Sequence, residues 1–105
     1  MTWKELEKAL AHKNEWSFED AVFYTEMAFD MFETEGFCDT FIDKENPGGI
    51  EKPFKIIRRM SYITDNWDLE WLPAWLIEVD GEAFPAFPDE ICKAYREKHL
   101  VKKVG

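Results

Sequence analysis

Ala74-Trp75-Leu76-Ile77-Glu78-Val79-Asp80-Gly81-Glu82-Ala83-Phe84 sets an Asp-Gly pair between two extended apolar runs. Asp and Gly tolerate the positive φ angles of a two-residue type I′ turn, whose twist matches that of the strands it joins. The stretch therefore predicts a β-hairpin. A two-residue loop also fixes the register, placing Val79 opposite Glu82, Ile77 opposite Phe84 and Trp75 opposite Ala86. Side chains alternate across a strand, so Trp75, Ile77 and Phe84 are expected to share the core face. Pro85 has no N–H to donate and confines the second strand to a sheet edge.

Working upstream, Pro53 to Ile63 supports two readings. Ile56, Met60 and Ile63 suit a helix, whereas Phe54, Ile56, Arg58, Met60 and Tyr62 alternate as in a strand. Paired β-branched residues and the lack of a good N-cap in Gly48-Gly49-Ile50-Glu51-Lys52-Pro53 favour a strand. Phe37 to Gly49 ends in Asn46-Pro47-Gly48-Gly49 and reads as a loop, with a short extended piece at Phe41-Ile42.

The amino-terminal third is helical in pattern. Thr2-Trp3-Lys4-Glu5 forms a capping box ahead of Trp3, Leu6 and Leu10 on one face. Ser17-Phe18-Glu19-Asp20 starts a second helix, expected to run to Glu35 with Gly36 closing it. Phe18, Ala21, Val22, Thr25, Ala28, Phe29 and Phe32 follow helical spacing, and Glu19, Glu26, Asp30 and Glu33 hold a narrow polar stripe. So wide an apolar face predicts burial on most sides or a homodimer through helix 18–35. Downstream of the hairpin, Pro88-Asp89-Glu90 opens a last helix with Ile91, Ala94 and Tyr95 inward and a basic outer face ending near Leu100.

The expected fold is α+β: two N-terminal helices, a small three-stranded antiparallel sheet with a hairpin at Asp80-Gly81, and a C-terminal helix. At 105 residues one domain accounts for 1–105. Its helical part is 1–36, its loop 37–52, and its sheet and final helix 53–105.

Composition narrows function by exclusion. Hydrophobic residues at 46% supply a core, while a net charge of -9 opposes contact with phosphates. No direct nucleic-acid binding is expected. The charge is uneven: residues 1 to 50 carry 4 Lys+Arg against 12 Asp+Glu, and residues 51 to 105 carry 9 against 10. Lys93, Arg96, Lys98, Lys102 and Lys103 make the tail basic. The first residues lack a secretory pattern, and the longest uncharged apolar run is the seven residues from Trp71 to Ile77. A cytoplasmic chain that makes no membrane contact is the expectation. The run from Leu72 to Cys92 resembles stretches of small bacterial and phage proteins, a likeness that implies no activity.

Motif chemistry is sparse. The acidic stripe lacks the Glu-x-x-His pair of carboxylate metal sites, and the glycines form neither a Walker loop nor a dinucleotide fingerprint. Asp39, Asp43, Glu45 and Asn46 lack the spacing of a calcium loop. No metal or cofactor is expected. His12 and His99 have no triad partner at motif spacing, and Cys38 and Cys92 form neither a CxxC pair nor a zinc pattern. No catalytic residue is assigned, and an enzyme is not expected.

What stands out is charge and tryptophan. Trp67, Trp71 and Trp75, with Trp3 and Trp16, suit either a core or a binding surface. The expected function is a non-enzymatic, acidic protein-interaction module that docks on a basic partner, as a small regulator or inhibitor of nucleic-acid-handling machinery. Glu26, Asp30, Glu33, Trp67 and Trp71 are the candidate partner-binding residues. The alternative is a small-molecule binding protein or minor enzyme with an aromatic pocket of Trp67, Trp71 and Tyr62.

Overall fold

The computed structural model describes residues 1–43, 51–66, 68 and 71–99. Helix α1 (Trp3–Ala11) begins at the Thr2 capping box: Glu5 N–H donates to Thr2 Oγ1 at 3.2 Å, and Thr2 N–H donates to Glu5 Oε1 at 2.8 Å. A 3-10 turn, Lys13–Glu15, leads to α2 (Phe18–Glu35). Ser17 and Asp20 form a second capping box there. Gly36, at φ 97°, closes α2 in a backbone conformation that side-chain-bearing residues seldom adopt.

The sheet follows the expected register. β3 (Lys55–Arg59), β4 (Trp75–Val79) and β5 (Glu82–Ala86) run antiparallel in the order β3-β4-β5. The hairpin pairs Val79 with Glu82, Ile77 with Phe84 and Trp75 with Ala86, and Pro85 stands on edge strand β5. Asp80 at φ 54° and Gly81 at φ 82° make the turn. A Cβ on Gly81 would meet nothing within 4 Å. Gly81→Val should therefore cost about 1 to 3 kcal/mol through backbone strain alone. Chemical denaturation measures this, and an unchanged midpoint would remove turn strain from the account.

Elsewhere the structure departs from the sequence reading. The segment 54–63 is a strand only as far as Arg59. Ser61 then caps a one-turn helix, α3 (Tyr62–Asp65), its hydroxyl accepting from Ile63 N–H at 3.2 Å and Thr64 N–H at 3.4 Å. A short second ladder, β1 (Thr40–Phe41) with β2 (Lys52–Pro53), lies at the ends of the expected loop 37–52; residues 44–50 of that loop are outside the described set. The final helix is broken into α4 (Pro88–Ile91) and α5 (Lys93–His99). Cys92 adopts extended angles and bridges Phe37, and Cys38 N–H donates to Ile91 O at 2.5 Å, so the chain after α2 claims backbone groups that a continuous helix would use.

α1, α2 and α4 pack onto one face of the sheet. Leu6, Ala28, Phe29, Phe32, Phe41, Trp75, Ile77, Val79, Ala86, Ile91 and Cys92 form the main core. Met60, Leu72 and Ala74 form a smaller one with Leu76 and Phe87 against it. No helix among the described residues is long and apolar enough to cross a membrane.

Candidate functional site

The acidic stripe of α2 meets the sheet through Arg59. Strand alternation from Ile56 would put Arg58 on the α2 side, but a β-bulge between Ile56 and Arg58 shifts the phase by one. Arg59 then pairs with core-facing Trp75, and Arg58 turns away to Asp65. The Arg59 guanidinium holds Glu33 with two hydrogen bonds, Nε to Oε2 at 2.9 Å and Nη2 to Oε1 at 2.8 Å. It also reaches Asp30 at 3.0 Å and Glu26 at 3.2 Å, and its carbon lies 5.1 Å from the centre of the Phe29 ring. Trp75 Nε1 donates to Glu33 Oε2 at 2.7 Å.

The carboxylates thereby divide into two kinds. The Arg59 hydrogen bonds hold the Glu33 carboxyl below its usual range, with Trp75 helping and partial burial opposing. Its side chain is 31% exposed, against 62% for Glu26 and 67% for Asp30. Glu33 is thus an anchor of the fold, whereas Glu26 and Asp30 keep most of their surface in water. Three carboxylates share one guanidinium, so the face retains negative charge.

Beside this face, α2 and α3 border an apolar groove of about 130 Å³ whose lining includes Phe18, Val22, Thr25, Glu26, Tyr62 and Ile63. Phe18 and Tyr62 touch edge to face, their ring centres 5.8 Å apart, and both remain exposed. Ile63 is 75% exposed. Its presentation is rigid: Asp65 accepts from Ser61 N–H at 2.6 Å and from both terminal nitrogens of Arg58, and Asn66 ends the turn at φ 56°. These bonds, led by those of Arg58, keep the Asp65 carboxyl well below the usual range.

Thr25 lines the same groove, is buried, and its Oγ1 has no hydrogen-bond partner. A buried hydroxyl left unpaired costs roughly 1 to 3 kcal/mol. Thr25→Val should accordingly raise the unfolding free energy by about 1 kcal/mol; a lower midpoint in denaturant would show that the hydroxyl is satisfied.

Trp71 belongs to a second groove, of about 450 Å³, lined also by Leu10, Lys13, Pro73, Phe87 and Tyr95. Its exposed ring lies 5.9 Å from Phe87, planes 30° apart, and Lys13 Nζ donates to Leu72 O at 2.6 Å. Tyr62 and Trp71 therefore line different grooves, with Leu72 common to both, and Trp67 lies outside the described residues. Trp75 is a core residue, and Trp16 stacks on Tyr24 at 5.1 Å.

Among the described residues no group of His, Cys, Asp and Glu is arranged to hold a metal ion. Both cysteines are free thiols; burial raises Cys38 and pushes Cys92 up to about 12, which keeps them protonated. His12 is exposed at the end of α1, 3.6 Å from Glu15.

The chain matches no family model, no curated protein and no solved structure.

Sequence pattern had singled out the acidic stripe and Trp71. It does not reveal the α2–α3 groove, because alternation places Tyr62 and Ile63 at the end of a strand. The signal was present in Ser61, an N-cap residue immediately before them.

Proposed function

We propose that this chain is a non-enzymatic protein-interaction module that docks on a basic partner through the acidic face of α2. What supports the reading is one juxtaposition: Glu26, largely exposed and sharing Arg59 with Asp30 and Glu33, lies one turn from exposed Val22 and lines the same groove as Phe18, with exposed Asp30 one turn further along the helix. Charge of one sign steers encounter, and apolar surface beside it supplies the short-range attraction. A basic partner of the kind that handles nucleic acid carries the complementary charge, which makes a regulator or inhibitor of such a protein the fitting role.

A fluorescent 18-residue helical peptide of Lys and Leu, with a Glu and Leu counterpart, tests the reading by anisotropy. The cationic peptide should bind, more weakly as salt rises, because exposed charges are screened over about 8 Å at physiological ionic strength. Replacing both Glu26 and Asp30 with Lys should cut affinity about tenfold while leaving the circular dichroism unchanged. Equal binding of the two peptides, or no loss in the double variant, would overturn it.

The Trp71 groove favours a second reading, a small-molecule site, since its size falls within the range of ligand pockets and Phe32, Trp71, Phe87 and Tyr95 contribute to its walls beside charged Lys13 and Asp89. Flat aromatic compounds that raise the melting temperature of the unmodified protein but not of Trp71→Ala would support it.

A further inference from the structure

We infer that the groove between α2 and α3 is the seat of the partner's docking element, and that this element is a basic amphipathic helix packing as a third helix beside the two. The inference rests on the acidic-face reading and adds the place and the shape of the contact. Three observations carry it.

The apolar groups are arranged for a helix. Phe18 and Val22 stand four residues apart on α2, so they form one ridge, and Tyr62 and Ile63 form the opposite wall. An amphipathic helix offers apolar side chains at the same spacing to fill such a trough. Phe18 and Tyr62 meet across the trough, ring centres 5.8 Å apart, while Val22 and Ile63 stay exposed. Ser61, Asp65 and Arg58 fix α3 by hydrogen bonds that leave Ile63 facing outward, although turning it inward would bury apolar area.

The charges select a basic occupant. Glu19, Glu26 and Glu33 recur every seven residues, so they lie along one line of α2, and Glu26 itself lines the groove. Arg59 holds that line at Glu33 and Glu26, and Glu19 stands exposed at its other end. An occupant with its apolar stripe in the groove would set flanking Lys or Arg against Glu19 and Glu26. A second copy of this chain is disfavoured by the same charges, since residues 1 to 50 carry 12 acids against 4 bases.

The floor of the groove holds an unspent polar group. Thr25 Oγ1 is buried without a partner directly beneath the ridge. That is a stability cost which a hydrogen bond from an occupant of the groove would relieve.

Ile63→Asp and Val22→Asp test the inference, both being exposed positions whose change leaves the core intact. With the cationic Lys and Leu peptide as probe, each should weaken binding about tenfold or more, at unchanged circular dichroism and melting temperature. In the unmodified protein, the methyl resonances of Val22 and Ile63 should shift on titration with the peptide. If the Glu26 and Asp30 double variant loses binding while Ile63→Asp and Val22→Asp retain it, the acidic face is the site and the groove is not. If none of the variants matters, both the groove and the acidic-face reading fall. Sedimentation showing a dimer that Ile63→Asp converts to a monomer would assign the groove to a second copy and overturn the basic-helix occupant.

Discussion

Trp75→Ala should cost about 3 to 5 kcal/mol, a large share of the roughly 5 to 15 kcal/mol that stabilises a domain of this size. Trp75 is fully buried, and its ring meets Phe29 at 5.3 Å, Phe37 at 5.5 Å and Phe32 at 6.1 Å, all close to edge-on. Truncation removes the largest buried side chain and with it the quadrupolar contacts of three rings. It also strips Glu33 of its indole donor. Trp75→Phe separates the two effects: the area is mostly kept, the N–H is lost, and the cost should fall to about 1 to 2 kcal/mol. Urea denaturation followed by circular dichroism measures both. A Trp75→Ala midpoint close to that of the unmodified protein would mean that the hub of this core lies elsewhere.

Arg59→Leu should destabilise by about 1 to 3 kcal/mol, the range of hydrogen bonds to charged groups, reduced here because the guanidinium is 38% exposed and water screens it. The loss should depend on pH in a definite direction. Arg59 holds the Glu33 carboxyl below its ordinary value of 4.5, so the native state binds that proton less readily than the unfolded chain. The stabilisation is complete above the unfolded value and disappears as pH falls through the lower, folded one. The stability of the unmodified protein should drop from about pH 4.5 downward, and Arg59→Leu should show a shallower drop. Asp65, also held low, contributes an acid limb that Arg59→Leu leaves in place. A variant whose acid limb is as steep as that of the unmodified protein would remove the Glu33 and Arg59 pair from this account. The same substitution releases Glu26 and Asp30, so it should strengthen binding of the cationic peptide while weakening the fold.

Local chemistry made much of this architecture readable. The capping boxes at Thr2 and Ser17, the stop at Gly36 and the Asp80-Gly81 turn each depend on a few neighbouring residues, and each appears where the sequence put it. The α+β order followed from them. What escaped depends on partners distant in sequence. The break at Cys92 is set by Phe37, and the hold on α2 is set by a strand 26 to 33 residues further along. Alternation named Arg58 as the residue beside Ile56, and nothing within the segment announced that Ile57 would bulge. For the site, composition pointed to acid on α2 and to tryptophan, yet it could not sort Glu33, which anchors, from Glu26 and Asp30, which face water.

The bulge at Ile57 has a counterpart in the adjacency of Arg58 and Arg59. Slipping a strand by one residue ordinarily turns its inner side chains outward and exposes the wrong face. Here two successive positions carry the same cation. Pairing Ile57 with Leu76, without the bulge, would bring Arg58 opposite Trp75 and under α2 in place of Arg59, so a guanidinium would still meet the carboxylates of the helix. The forfeit would fall on Asp65 and on the one-turn helix that displays Ile63. The duplicated arginine thus makes the union of helix and sheet tolerant of a register error while leaving the exposed groove sensitive to it: a slipped chain would still fold, and would present an altered surface.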